Sequence, residues 1–332
     1  MDDAIVVERL HKQLGNVKAV DGIDLAVAQG TVFGLLGPNG AGKTTTVRVL
    51  ATILSPDAGR AEVLGHDVVR EPDAVRRRIG LAGQYAAVDA NLTGRENLRM
   101  VGLLAQLPRG EIKRRGDELL ERFGLSHASD RPLRTYSGGM RRRLDIAASL
   151  VQRPPVLFLD EPTTGLDISS RNELWDMIRE LVEDGTTVLL TTQYLEEADR
   201  LAQRIAVMDF GKVIANDTPQ NLKAQLGSTV VEMGVRGDGR SERAFRRLSE
   251  LADARVEREG ERIRITSDRG AHVLIEALRS LDIDGLEPDT LTVREPSLDD
   301  VFLTLTGRHA ESERAQDDRD DDGIEEEEGD AA

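Results

Sequence analysis

Residues 37–45 read GPNGAGKTT, which meets the G-x-x-x-x-G-K-[ST] spacing at Gly37, Gly42, Lys43 and Thr44. An apolar run, residues 31–36, precedes the motif and a helix-compatible stretch, residues 45–54, follows it. Glycines at 37, 40 and 42 permit positive φ and turn successive backbone N–H groups into one hollow, to which the helix start adds partial positive charge. That hollow suits a polyphosphate. Its expected lining is Gly37, Pro38, Asn39, Gly40, Ala41, Gly42, Lys43, Thr44 and Thr45. Lys43 is expected to reach the β and γ phosphates. Thr44 is expected to offer its hydroxyl to Mg²⁺, a hard ion that takes few protein ligands in such sites.

Two further stretches carry chemistry. VLFLDEP, residues 156–162, places Asp160 and Glu161 at the carboxyl end of a buried strand, where open α/β sheets bind ligands. Side chains alternate along a strand, so one acid should face metal and the other water. Asp160 is expected to hold Mg²⁺ through its water shell, and Glu161 to orient or deprotonate the attacking water. YSGGM, residues 136–140, opens a helix that Ser137 can cap, while Gly138 and Gly139 leave backbone N–H groups bare for a second anion.

These motifs need a scaffold, and the hydrophobic pattern supplies one. Short strands are expected at residues 5–10, 19–27 and 61–64, with a turn-rich segment at 14–18, and a buried strand at 79–82 delivers Gln84. From 91 to 151 the period becomes helical, with helices at 96–107, 109–123 and 139–152. Strands at 155–159, 187–192 and 205–208 then alternate with helices at 169–184 and 195–202, which predicts a mostly parallel sheet covered by helices. Beyond residue 226, strands at 229–235, 254–257, 262–266 and 290–293, with helices at 241–251, 271–281 and 297–305, suggest a small α+β domain.

The 332 residues include no cysteine, which excludes disulfides, thiolate metal sites and cysteine nucleophiles. The start MDDAIVVERL is acidic where a signal peptide would be basic, and no run nears eighteen apolar residues, so the chain is not expected to span a bilayer. Net charge is −16, of which residues 309–332 contribute −10, from twelve Asp and Glu against two Arg. Such a tail repels itself and is expected to be disordered. An acidic balance also argues against nucleic acid as a partner.

Taken together, GPNGAGKTT, Gln84, YSGGM, VLFLDEPTTGLD and the strand end TTQ resemble the ATP-binding subunit of an ATP-binding-cassette (ABC) transporter over roughly residues 4–220. Within that family, LGHDVVREPDAVRRRIGLAGQYAAVDANLTGRENL, YSGGMRRRLDIA and REPSLDDVFLTLTG are similar to the daunorubicin-resistance type of exporter ATPase. The resemblance implies an α/β P-loop NTPase cassette at residues 4–225 with a helical signature subdomain near 91–151, an α+β accessory domain at 226–308 and the acidic tail at 309–332. It implies ATP and Mg²⁺ as ligands and a separate integral membrane permease as partner, at the cytoplasmic face of the membrane. It also implies a head-to-tail pair, in which Ser137, Gly138 and Gly139 of one copy close on ATP held by the other. Gln84 would sense Mg²⁺ and the water, Asp167 would contact the opposite copy, and residues 296–305 would help the pair form or meet the permease.

Two positions depart from the family. Gln193 stands where a histidine is usual; it can bridge the γ-phosphate and Glu161 but brings no positive charge, so slow basal turnover is expected. Leu14 stands where an aromatic usually stacks on adenine, so GTP should replace ATP more readily. Arg141 to Arg143 read as a solvated, charge-balancing helix face, and residues 100–107, apolar enough for a partner surface, read by preference as packed. The rival functions are a soluble cassette ATPase on a non-membrane partner, which usually carries two cassettes or a long coiled insertion, and a regulatory nucleotide-binding module that scarcely hydrolyses.

Overall fold

The computed structural model describes residues 3–83, 88–225, 229–237, 239–251, 254–267, 269 and 271–305. Gln84 and the acidic tail, residues 309–332, lie outside them. Two twelve-residue strands, β1 (Asp3–Leu14) and β2 (Val17–Ala28), open the chain as an antiparallel hairpin. The expected turn at 14–18 narrows to Gly15 and Asn16, with Gly15 at φ +61°. The five residues of β3 (Val32–Leu36) are all buried, as befits a parallel strand covered on both faces. After α1 (Lys43–Leu50), β4 (Ala58–Val63) and β5 (His66–Asp67) complete an antiparallel sheet of order β2-β1-β4-β5.

The short α2 (Pro72–Arg76) starts on a proline whose missing N–H is no loss there, and leads into β6 (Ile79–Ala82). Three helices follow: α3 (Gly94–Leu104), α4 (Arg109–Arg122) and α5 (Gly138–Ser149). A capping box fixes the start of α3, with Glu96 N–H donating to Thr93 Oγ1 and Thr93 N–H to Glu96 Oε2. Leu98 is buried, whereas Leu103 and Leu104 are 50% and 76% exposed, so the packing expected across 100–107 is partial.

Strand and helix then alternate through β7 (Val156–Asp160), α6 (Ile168–Glu183), β8 (Thr187–Thr192), α7 (Leu195–Leu201), β9 (Arg204–Asp209) and β10 (Lys212–Asp217). The central sheet has the order β10-β9-β3-β8-β7-β6, parallel except for β10, which forms a hairpin with β9. Its register decides the site. Leu36 pairs with Thr192 and Asp160 with Thr191, so three adjacent strands end level with one another. The loops that leave those ends carry the phosphate motif, Glu161 and Gln193.

A second compact unit begins at Pro219. It comprises α8 (Pro219–Ala224), β11 (Thr229–Gly234), α9 (Arg240–Leu248), β12 (Ala254–Glu259), β13 (Arg262–Ser267), α10 (Ala271–Ile283), β14 (Thr290–Arg294) and a helical segment at 298–305. Its antiparallel sheet has the order β12-β13-β11-β14, and Val231, Met233, Ile263 and Ile265 close a core with Leu248, Ala277 and Leu281. Arg294 grips Asp300 through both terminal nitrogens, at 2.6 and 3.0 Å, and reaches Glu232 at 2.8 Å. Ser297 donates its N–H and its hydroxyl to the same Asp300 carboxylate. Much of REPSLDD therefore ties the terminal helical segment to the sheet. No described helix is long and apolar enough to cross a membrane.

Candidate functional site

Two glycines of the phosphate loop have no substitute. A Cβ on Gly37 would sit 2.3 Å from the Met208 carbonyl oxygen, and one on Gly42, already at φ +102°, would sit 2.2 Å from that of Ala19. The loop is thus pressed onto the ends of β9 and β2. Lys43, the first residue of α1, turns back inside it and donates to the carbonyls of Gly37 and Pro38 at 2.7 and 3.0 Å. Burial pushes its ammonium below the ordinary lysine range, and the carboxylates of Glu161 and Asp160 partly offset that.

The two acids make different contacts, and strand alternation alone does not separate them, because Glu161 lies beyond the end of β7. Asp160 is the last residue of β7, and its Oδ1 accepts from the hydroxyls of Thr44 at 3.0 Å and Thr191 at 2.6 Å. Glu161 has left the strand with φ +48°, a left-handed conformation that costs a non-glycine residue on the order of 1–3 kcal/mol. Its N–H donates to the carbonyl and the hydroxyl of Thr191, at 3.1 and 3.0 Å, which helps hold the turn. Its carboxylate then faces Lys43 and accepts from Thr164 at 3.3 Å.

These groups share one open cleft of about 610 Å³, walled by Leu14, Val17, Ala19, residues 39–45, Glu161, Thr164 and Gln193. Leu14 and Val17 form its apolar side, where an aromatic was missing from the sequence. A smaller hollow between α3 and α4, around Arg99, Leu103 and Ile112, shares none of these residues. The hydroxyl of Thr44 and the carboxylate of Asp160 are hard oxygen donors already in contact. They fit Mg²⁺ bound mainly through phosphate and water, and no cluster of three or more His, Asp or Glu among the described residues forms a fuller cage.

Ser137, Gly138, Gly139 and Asp167 do not line that cleft. Ser137 caps α5 by accepting from Met140 N–H at 3.2 Å, and Asp167 caps α6 by accepting from Ser170 N–H at 2.7 Å. The Ser170 bonds hold the Asp167 carboxyl below its ordinary value. Gly139 lies against α6, where a Cβ would meet Ser170 Oγ at 2.5 Å, while around Gly138 nothing comes within 4 Å.

Two residues that the motifs did not single out support the site. Thr191 bridges Asp160 and Glu161, and its signal was the threonine pair before Gln193. The other corrects the reading of Arg141 to Arg143 as a solvated face. Arg142 and Arg143 are only 12% and 17% exposed in their side chains, and Arg142 pairs with the buried Asp145. Three consecutive arginines fan across about 200° of a helix, so they cannot share one wet side. Near Arg142, burial pushes the Glu197 carboxyl above its ordinary range, although Trp175 Nε1 donates to it at 3.1 Å.

The family model for the ABC transporter matches residues 20–164. A protein of Streptomyces coeruleorubidus named daunorubicin resistance ATP-binding protein DrrA2 is 52% identical over 94% of this chain and 98% of its own length. Doxorubicin resistance ATP-binding protein DrrA of Mycobacterium tuberculosis is 45% identical over 94% and 96%. Nod factor export ATP-binding protein I of Ralstonia nicotianae is 42% identical over 91% and 93%. Among solved structures, cbiO1 from Clostridium perfringens, described as part of an ABC transporter complex, superposes with a TM-score of 0.63 at 29% identity, over 68% of this chain and 92% of that one.

Proposed function

The chain belongs to the ABC transporter family as an ATP-binding subunit, and from that premise we propose that it hydrolyses ATP to drive export of a hydrophobic compound, a drug or a lipid, through a separate membrane permease. The observation that carries this reading is the meeting of Lys43, the Thr44–Asp160 pair and Glu161 in one cleft. The relatives named for resistance to daunorubicin and doxorubicin support the class of cargo.

In this mechanism the backbone amides of residues 37–45 and the Lys43 ammonium bind the phosphates. Thr44 and Asp160 would hold Mg²⁺, which would supply positive charge against the phosphates. Glu161, fixed by its turn, holds a water on the side of the cleft it shares with Gln193 and accepts a proton as that water attacks the γ-phosphorus. ADP and phosphate are the products. Ser137 and Gly138 lie outside the cleft, so their bare donors serve a second copy in a head-to-tail pair. ATP joins the two copies, and hydrolysis parts them. The subunit works at the cytoplasmic face of the membrane.

The test is ATP hydrolysis by the purified chain, alone and with the permease encoded beside it, in lipid with candidate hydrophobic drugs. Stimulation by permease and drug, with a loss of about 10²–10⁴-fold in Glu161→Gln, is the expected outcome. Equal rates in wild type and Glu161→Gln would sink the enzymatic mechanism, and a rate indifferent to permease would return the soluble cassette to the front.

A further inference from the structure

The guanidinium of Arg142 binds the backbone on both sides of the strained Glu161. Nη2 donates to the Asp160 carbonyl at 3.1 Å and Nε to the Pro162 carbonyl at 2.9 Å. Nη1 donates to the Gly83 carbonyl at 2.6 Å and to Asp145 Oδ2 at 3.1 Å. All three nitrogens are engaged, and three of the four acceptors are main-chain oxygens. A planar fork with five N–H donors can satisfy that set at once, whereas an ammonium donates from a single point.

The geometry points to Arg142 as a positioning residue for the hydrolytic reaction, one that fixes the turn carrying Glu161 and links it to the helix that Ser137 caps. The left-handed φ of +48° at Glu161 persists only while its neighbours over-determine it. Residues 160 and 162 are those neighbours, and one side chain holds both. The same side chain reaches Gly83, at the end of β6, so three segments meet on α5. This rests on the proposed function, since in a head-to-tail pair the start of α5 faces the nucleotide of the other copy. Arg142 then connects that nucleotide to the water-holding acid of its own site.

Arg142→Met and Arg142→Lys are compared with wild type for steady-state hydrolysis, affinity for a fluorescent ATP analogue, and hydrogen exchange across residues 160–166. For Arg142→Met, kcat should fall at least tenfold with KM and nucleotide affinity within twofold, and exchange in the turn should rise. Arg142→Lys should recover part of kcat. Wild-type kcat in Arg142→Met, or a fall in nucleotide affinity equal to the fall in kcat, would overturn the assignment. If the methionine variant does not fold, Arg142→Lys decides: a three- to tenfold loss in kcat at constant KM supports the role, and wild-type kcat removes it. ATP-dependent pairing is read separately in Glu161→Gln by size-exclusion chromatography. A monomer there overturns the head-to-tail link while the kcat comparison still judges the positioning of Glu161.

Discussion

The Lys43 ammonium stands 3.8 Å from Oε1 of Glu161, and the two side chains are 4% and 8% exposed. The proposed phosphate-binding cation and the proposed acid of the water site therefore sit within each other's field. Burial still wins at Lys43, whose pKa lies below the ordinary 10.5. Between that lowered value and 10.5 the unfolded chain binds more protons, so this group makes stability rise with pH across the window. Nucleotide affinity should move the other way. Above the folded pKa of Lys43, binding requires proton uptake, and affinity should fall by up to about tenfold per pH unit. Titration with a fluorescent ATP analogue from pH 7 to 10.5 checks this; Lys43→Met should bind weakly at every pH and lack the alkaline limb.

Gly42 and Gly138 should respond in opposite ways to alanine. At Gly42 the left-handed backbone and the Ala19 carbonyl leave no room, so Gly42→Ala should cost roughly 3 kcal/mol or more and abolish nucleotide binding. Gly138 has open space around it, and Gly138→Ala should leave stability within about 0.5 kcal/mol of wild type. In the head-to-tail pair proposed above its kcat should nevertheless fall at least about tenfold, because the added methyl would stand between the backbone amide and the nucleotide held by the second copy. Thermal melts beside ATPase rates separate the two, and full activity in Gly138→Ala would count against pairing.

Gln193 lines the cleft with Glu161 but carries no charge. Gln193→His adds a group that can donate as a cation, and such bonds are roughly twice as strong as neutral ones. Turnover should rise by about tenfold, equivalent to roughly 1.4 kcal/mol of the barrier. Steady-state hydrolysis at saturating ATP measures it, and an unchanged or lower kcat would show that the charge is not what limits the rate.

Asp300 should govern the acid stability of the second unit. Burial alone would raise its carboxyl, but the Arg294 guanidinium and the Ser297 N–H and hydroxyl more than offset this and hold it at about 2 against an ordinary 3.8. A depressed carboxylate adds stability that is full above the unfolded value and lost as pH falls through the folded one, here between about pH 4 and 2. Asp300→Asn should remove about 2 kcal/mol at pH 7 and flatten that limb. The single tryptophan, Trp175, lies in the first unit, so hydrogen exchange of β11 and β13 is the better measure.

Most of the residues that wall the candidate cleft could be named from the sequence, because the geometry of the phosphate loop is local. A glycine at 42 and a lysine at 43 specify their own backbone and reach, and a run such as VLFLD, short and bounded by prolines, suits a buried strand. Gln193 and Glu161 reach the same cleft because β8 and β7 are neighbours; the alternation of strands and helices predicted a parallel sheet but not that adjacency, which the register establishes. What could not be read was non-local. The φ of Glu161 depends on Thr191 and Arg142, which lie 30 and 19 positions away, and Arg142 looked like one of three surface cations. The apolar residues near 103 have the right period for packing, but periodicity does not say whether a face is covered.

The buried side chains of this protein gather into separate clusters, one running from Ala4 to Met208 and another from Val231 to Leu286. Each closes within its own unit, and the consequence concerns cooperativity. A chain with two such cores has no single unfolding free energy; it has two, coupled only as strongly as the units bind one another. Weak coupling would give two endotherms in calorimetry, of which ATP, whose candidate cleft is walled by residues of the first unit, would raise one by mass action. The half of the molecule that handles the nucleotide can thus be stiffened by its substrate while the other keeps the melting temperature that its own residues set.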